Sequence, residues 1–135
     1  MARRFSGRCS CGDIELSFTG EPINAVFCYC TDCQRDTGSD KWFGLWVATD
    51  NLAFTKGGPQ TFSRLGSSGK PVHKKFCGSC GTTLCSEFTA GGFYSVAASV
   101  LDQKNDFSPR MAIYTASAAD WAVYPKDVPK YDTFP

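Results

Sequence analysis

The sequence predicts an all-β fold, a single domain over residues 1–135 made of many short strands. Apolar residues alternate with polar ones at period two in one short run after another. Clusters of Gly, Pro, Asn and Asp separate those runs, and no segment sustains the 3.6-residue period of a long amphipathic helix.

In DIELSF (13–18), Ile14, Leu16 and Phe18 fall on one side of an extended chain, and Glu15 and Ser17 on the other. Similar runs follow at AVFC (25–28), FGLWVA (43–48), LAFT (52–55), TFSRL (61–65), TLCSEF (83–88), FYSVAASV (93–100) and MAIY (111–114). The stretches TKGGPQ (55–60), LGSSGKP (65–71) and DQKND (102–106) read as turns. Two short helical turns are expected. One is TDCQRDTG (31–38), with Thr31 as N-cap and Gly38 past the end; the other is SAADW (117–121). The tail PKDVPKYDTFP (125–135) carries three prolines, too many for a central strand, and is expected to lie extended over the surface.

Composition narrows the function classes. With 42% hydrophobic and 14% aromatic residues the chain can pack a core and is not of disordered type. A formal charge of +1 offers no broad attraction for nucleic acid or an anionic membrane surface. No apolar run approaches the roughly 20 residues of a membrane-spanning helix. Arg3 and Arg4 near the start are followed by no apolar stretch, so no signal peptide is read and a cytoplasmic location is expected. In a reducing compartment, eight cysteines point to metal thiolate sites rather than disulfides.

The thiols fall into groups. Cys77-Gly-Ser-Cys80-Gly81 has the spacing of a zinc knuckle, in which both sulfurs reach one metal at about 2.3 Å and the glycine permits positive φ. The redox reading of C-x-x-C belongs beside a βαβ unit, which is missing from the pattern. Cys9-Ser-Cys11 places two thiols on one side of an extended chain. CYCTDC gathers Cys28, Cys30 and Cys33. Two partitions are open. Cys30 and Cys33 can join Cys77 and Cys80 as a ribbon. Alternatively, Cys9 and Cys11 join Cys77 and Cys80, leaving a three-thiolate unit whose fourth coordination position is free for water or substrate. Cys85 reads as a small buried filler, and His73 as an exposed or hydrogen-bonded residue rather than a ligand.

GRCSCG (7–12), CYCTDCQRDTG (28–38) and FCGSCGTTL (76–84) resemble the glutathione-dependent formaldehyde-activating enzyme family, which also includes centromere protein V-like domains. AASVLD (97–102), PRMAIY (109–114), Trp121 and YPKDVPKY (124–131) fit the same pattern, so the likeness covers nearly the whole chain. The resemblance implies small twisted antiparallel sheets held by metal. It also implies two zincs per chain: a structural ion on Cys9, Cys11, Cys77 and Cys80, and a second on Cys28, Cys30 and Cys33. A histidine that many relatives carry is replaced here by Ala112.

A zinc with three protein ligands keeps an open position, the mark of a catalytic site. There it would stabilise an incoming thiol as thiolate, below its usual pKa of about 8.5, or polarise a carbonyl. Three thiolates donate heavily and weaken Lewis acidity, which favours thiolate delivery. The expected activity is thus a carbon–sulfur lyase acting on an adduct of formaldehyde, or a related small aldehyde, with glutathione or another thiol. The rival readings are a non-catalytic zinc module that binds a partner protein and a zinc or thiol buffer. Arg35, two residues past Cys33, is the first candidate to hold a substrate carboxylate, with Lys41, Arg64 and Lys74 behind it. Trp42 is expected to contact substrate, and Phe43 and Trp46 are candidate pocket walls.

Overall fold

The computed structural model describes residues 2–135. Among these, the chain forms β1 (Arg4–Arg8), β2 (Glu15–Thr19), β3 (Asn24–Cys28), α1 (Thr31–Thr37), β4 (Trp42–Ala48), β5 (Leu52–Lys56), β6 (Gln60–Leu65), β7 (Pro71–Phe76), β8 (Thr83–Phe88), β9 (Phe93–Ala97) and β10 (Met111–Ile113). They build a three-stranded sheet in the order β1-β2-β5 and a seven-stranded sheet in the order β10-β3-β4-β9-β8-β7-β6. The all-β prediction holds. Neighbouring strands run antiparallel except β10, which lies parallel to β3.

The alternating runs explain how the sheets meet. Ile14, Leu16 and Phe18 are buried, as are Leu45 and Val47 of β4, Leu84 of β8 and Val96 of β9, and together they fill the main core. Removing such side chains from water contributes on the order of 1.5–3 kcal/mol each. The small sheet therefore covers one face of the large one. The opposite face carries Cys28, Trp42, Gly44, Trp46, Ser95, Ser86, Val72 and Arg64, which the strand register places side by side.

Two strands lie outside the alternating runs. β1 (RFSGR) has a single large apolar residue, and its Gly7 sits under the backbone of Val100, where a side chain would collide with the carbonyl. β7 (PVHKKF) opens on a proline, tolerated as a strand's first residue, and is otherwise mostly polar. Pairing on both sides, with β6 and β8, makes it a strand despite its composition.

Three local expectations need correction. Helix α1 starts one residue earlier than its hydroxyl suggested: Cys30 is the N-cap and Thr31 the first helical residue, while Gly38 caps the C-terminus at φ 67°. The later helical turn is a 3-10 turn at Thr115–Ser117, upstream of most of SAADW. The FYSVAASV run leaves the sheet after Ala97 and coils at Ala98–Val100. The proline-bearing tail lies over the surface as expected, but it is not extended throughout: it turns at Lys126–Asp127, with Asp127 at φ 63°, and it is tied down. Ala112 N–H donates to Pro129 O at 2.9 Å and Tyr131 N–H to Ala112 O at 2.9 Å, so the tail extends the large sheet beyond β10.

Gly44 is required for packing. Trp42 Nε1 donates to Ser95 Oγ at 3.0 Å. A methyl group on Gly44 would collide with that hydroxyl and lie 2.7 Å from the indole nitrogen. Gly44→Ala should therefore break the bond and lower stability by roughly 1–3 kcal/mol. Urea unfolding followed by tryptophan fluorescence measures this as a lower midpoint, and an unchanged midpoint would show that the face can relax.

Candidate metal centres and the adjoining cavity

The first centre joins the two sheets. Behind β1 the chain turns on a bond from Gly12 N–H to Cys9 O at 3.2 Å, and Ile14 N–H donates to Cys9 Sγ at 3.3 Å. Between β7 and β8, Gly81 N–H donates to Cys77 O at 2.8 Å with Gly81 at φ 79°, the conformation the knuckle glycine was expected to supply. Thr82 ties the two loops together: its Oγ1 accepts from Ser10 N–H at 3.1 Å and lies 3.2 Å from Cys80 Sγ.

The sulfurs of Cys9, Cys11, Cys77 and Cys80 all lie within 4.8 Å of one another. Cys9–Cys11 and Cys11–Cys77 are each separated by 3.7 Å. Four sulfurs at about 2.3 Å from a tetrahedral ion would sit about 3.8 Å apart, so this set fits zinc in number, softness and spacing. The hydroxyl and backbone of Thr82 hold the Cys80 thiol down to about 5. Burial opposes ionisation of Cys9, but the Ile14 N–H and the neighbouring thiols outweigh it and lower its pKa. Of the two partitions, the structure assembles this one; Cys30 and Cys33 group instead with Cys28.

The second centre grows out of a strand end and a helix cap. Cys28 is the last residue of β3, Cys30 caps α1, and Cys33 lies in its first turn. The cap uses sulfur in place of the usual oxygen: Cys33 N–H donates to Cys30 Sγ at 3.3 Å. Gln34 Nε2 fixes the helix from outside, donating to Tyr29 O at 2.9 Å and Ser117 O at 3.0 Å. The three sulfurs lie within 4.8 Å of one another, and among the described residues no histidine, aspartate or glutamate completes the group. Hydrogen bonds from Cys28 and then Cys33, helped by the Arg64 charge, hold Cys30 down to about 3. In return Cys30 pushes Cys28 up to about 12, and bonding to Cys28 and Cys30 raises Cys33. This donor set could hold one soft ion through three sulfurs.

A cavity of about 480 Å³ opens beside these three cysteines. Its floor is the uncovered face of the large sheet; α1, the β6–β7 turn and the tail form its walls. Arg64 on β6 reaches across to Asp32 of α1 with Nη1 3.3 Å from Oδ2, and Lys74 on β7 pairs with Asp36 at 3.0 Å. Tyr114 OH meets Ser67 Oγ of the β6–β7 turn at 2.8 Å. Tyr114 is a non-glycine residue at φ 56°, a backbone costing on the order of 1–3 kcal/mol, and it lines the wall next to Ile113.

The remaining sequence candidates separate clearly. Trp42 lines the cavity but is only 6% exposed and spends its indole N–H on Ser95. Trp46 lines it and is partly open, whereas Phe43 turns to the opposite face and packs on the main core. Arg35 is exposed on α1 outside the lining; Arg64 is the cavity's cation. Lys41 is held by both oxygens of Asp40, at 3.0 and 3.1 Å. His73 belongs to neither cluster and bonds Ser63 Oγ through Nδ1 at 2.7 Å. Cys85 is fully buried, and burial pushes its thiol up to about 12. Asp32, Ser67, Tyr114 and Phe134 escape a reading of the sequence alone: Asp32 faces the cavity from helix α1 toward Arg64, and the others reach it through a turn or the tail.

A family profile described as glutathione-dependent formaldehyde-activating enzyme matches residues 4–117. The chain belongs to that family. Among solved structures, a Rhodobacter sphaeroides protein determined as a Northeast Structural Genomics target has the same fold. It is 20% identical, with a TM-score of 0.59 over 93% of this chain and 98% of that one. A search of curated proteins finds no match. Within this formaldehyde-activating family member, Ala112 is fully buried between β3 and the tail, outside the cavity lining. No helix among the described residues is long and apolar enough to cross a membrane.

If each cluster takes one zinc, native mass spectrometry of the parent chain will count two. Cys30→Ser should drop the count to one and keep the circular dichroism spectrum. Cys77→Ser should abolish cooperative unfolding, because a structural zinc contributes on the order of 10 kcal/mol to folding. A Cys30→Ser chain that unfolds would show that the trio is structural.

Proposed function

We propose that the chain is a zinc-dependent carbon–sulfur lyase that cleaves, or in reverse forms, the adduct of a thiol with formaldehyde or a related small aldehyde. The observation that supports it is a three-sulfur donor set, with no fourth ligand among the described residues, opening directly onto a cavity. Cys28, Cys30 and Cys33 hold the catalytic zinc in this reading, and Cys9, Cys11, Cys77 and Cys80 the structural one. When bound at the trio, zinc supplies a positive charge that favours the thiolate form of a substrate sulfur.

In the cleavage direction the carbon–sulfur bond breaks and the sulfur keeps the electron pair. The adduct's hydroxyl proton leaves to solvent, and its oxygen becomes the carbonyl of the aldehyde. The sulfur leaves as thiolate or, with a proton, as thiol. The protein's own groups position this event. Arg64 holds a substrate carboxylate, a role that passes to it from Arg35 because Arg64 faces the cavity. Its charge also favours the negative sulfur. Trp42, locked on Ser95, shapes the floor beside Cys28. Tyr114 and Ser67 close the wall above it.

Two-dimensional exchange NMR of glutathione with formaldehyde tests the reaction: the zinc-loaded chain should accelerate exchange over the spontaneous rate, and Cys30→Ser should not. Equal rates with and without protein would reject the activity for this adduct. With an active carboxylate-bearing substrate, Arg64→Ala should raise KM about ten-fold, the loss of one charge-assisted hydrogen bond, while Arg35→Ala leaves KM unchanged.

A further inference from the structure

The cavity has a chemistry that the one-carbon adduct of a charged tripeptide does not use. Phe88, Phe93 and Trp46 follow one another across the large sheet, each partly exposed on the cavity side. Phe88 and Phe93 stack with centroids 5.3 Å apart, and Phe93 and Trp46 at 4.6 Å. Phe134 of the tail continues the row, its ring parallel to the Trp46 indole within 2° at 5.6 Å. These four rings, stacked on one another, give the cavity an apolar aromatic wall.

The charges point the same way. Glutathione brings two carboxylates and one ammonium. Besides the sulfurs and the Tyr114 phenol, the ionisable groups lining the cavity are Asp32, Asp36 and Arg64, and Arg64 already faces Asp32 at 3.3 Å. Lys74, the next cation, is held on Asp36. Arg64 can therefore receive a single ligand carboxylate, and a second would find no further cation in the lining.

Resting on the reading that a substrate sulfur joins at the Cys28–Cys30–Cys33 centre, we propose that the thiol this chain prefers carries an aromatic ring, seated against the Trp46 row, and no more than one carboxylate, with glutathione the weaker substrate. Trp46 is the specificity-determining residue. The floor sets the geometry. Cys28 pairs with Trp42 across β3 and β4, and Trp46 lies four residues along the same strand on the same face. Strand rise separates Trp42 from Trp46 by roughly 13 Å. A ring a few bonds from its sulfur extends from the trio toward Trp46, over the floor that the Trp42–Ser95 hydrogen bond makes above Gly44.

The test uses the full chain loaded with cobalt(II), whose thiolate charge-transfer absorption rises when an outside sulfur binds. Benzyl mercaptan, ethanethiol and glutathione are titrated against the parent, Trp46→Ala and Phe134→Ala. Benzyl mercaptan should bind the parent at least about ten-fold tighter than ethanethiol, the scale of one stacked ring. That preference should fall several-fold in both variants while ethanethiol is unaffected. Comparing the ratio across variants removes the difference in thiol acidity. Phe134→Ala, on the half-exposed tail, leaves the sheet untouched and carries the test if Trp46→Ala fails to fold. An unchanged ratio in the folded variants, or glutathione binding tighter than benzyl mercaptan, overturns the ring proposal while leaving the lyase reading standing. No spectral response to any thiol in the parent overturns both.

Discussion

The convergence of Cys9, Cys11, Cys77 and Cys80 is the contact on which the rest of the molecule depends. Cys11 and Cys77 are 66 residues apart in sequence and 3.7 Å apart at sulfur. They join the loop behind the small sheet's first strand to the β7–β8 turn of the large sheet. Chain closure over that length carries a substantial entropy penalty, and in the proposed account a zinc ion offsets it. Once the β7–β8 turn is held, β7 and β6 follow as the end of the large sheet. Arg64, Ser67 and Lys74 then stand across the cavity from α1.

The large sheet has two different faces for a simple reason. One meets the small sheet and is filled with Leu45, Val47, Leu84 and Val96. The other has no covering sheet, only a seven-residue helix, a turn and a tail around its rim. Small residues on that face, Gly44, Ser86 and Ser95, keep its middle low, while rings and thiols rise around it. The cavity is the space a second covering layer would have filled. The trio sits at its edge because β3 ends at Cys28 just where α1 begins with a sulfur cap.

Much of this was legible in the chain. Period-two alternation located eight of the strands, and the C-x-x-C-G spacing anticipated both the knuckle and its positive-φ glycine. The thiol grouping could not be decided by spacing, since a ribbon of Cys30, Cys33, Cys77 and Cys80 has equally regular intervals; strand register decides it. β1 and β7 were hidden because their stability comes from neighbours rather than from apolar content. Arg35 looked closer to the trio than Arg64 because distance along a helix is not direction: Arg35 points outward, and Arg64 arrives from a strand 29 positions later. Phe134 gave no signal at all, since its place depends on the tail pairing beside β10.

The central claim is that Cys28, Cys30 and Cys33 hold their own ion with one coordination position left to a substrate sulfur. Anomalous diffraction at the zinc edge, on crystals grown with zinc, addresses it most directly. The account predicts two peaks per chain, one amid Cys9, Cys11, Cys77 and Cys80, and one amid the trio with no fourth ligand from the protein. A fourth side chain completing the second site, or a single peak shared between the trio and the knuckle, would contradict it.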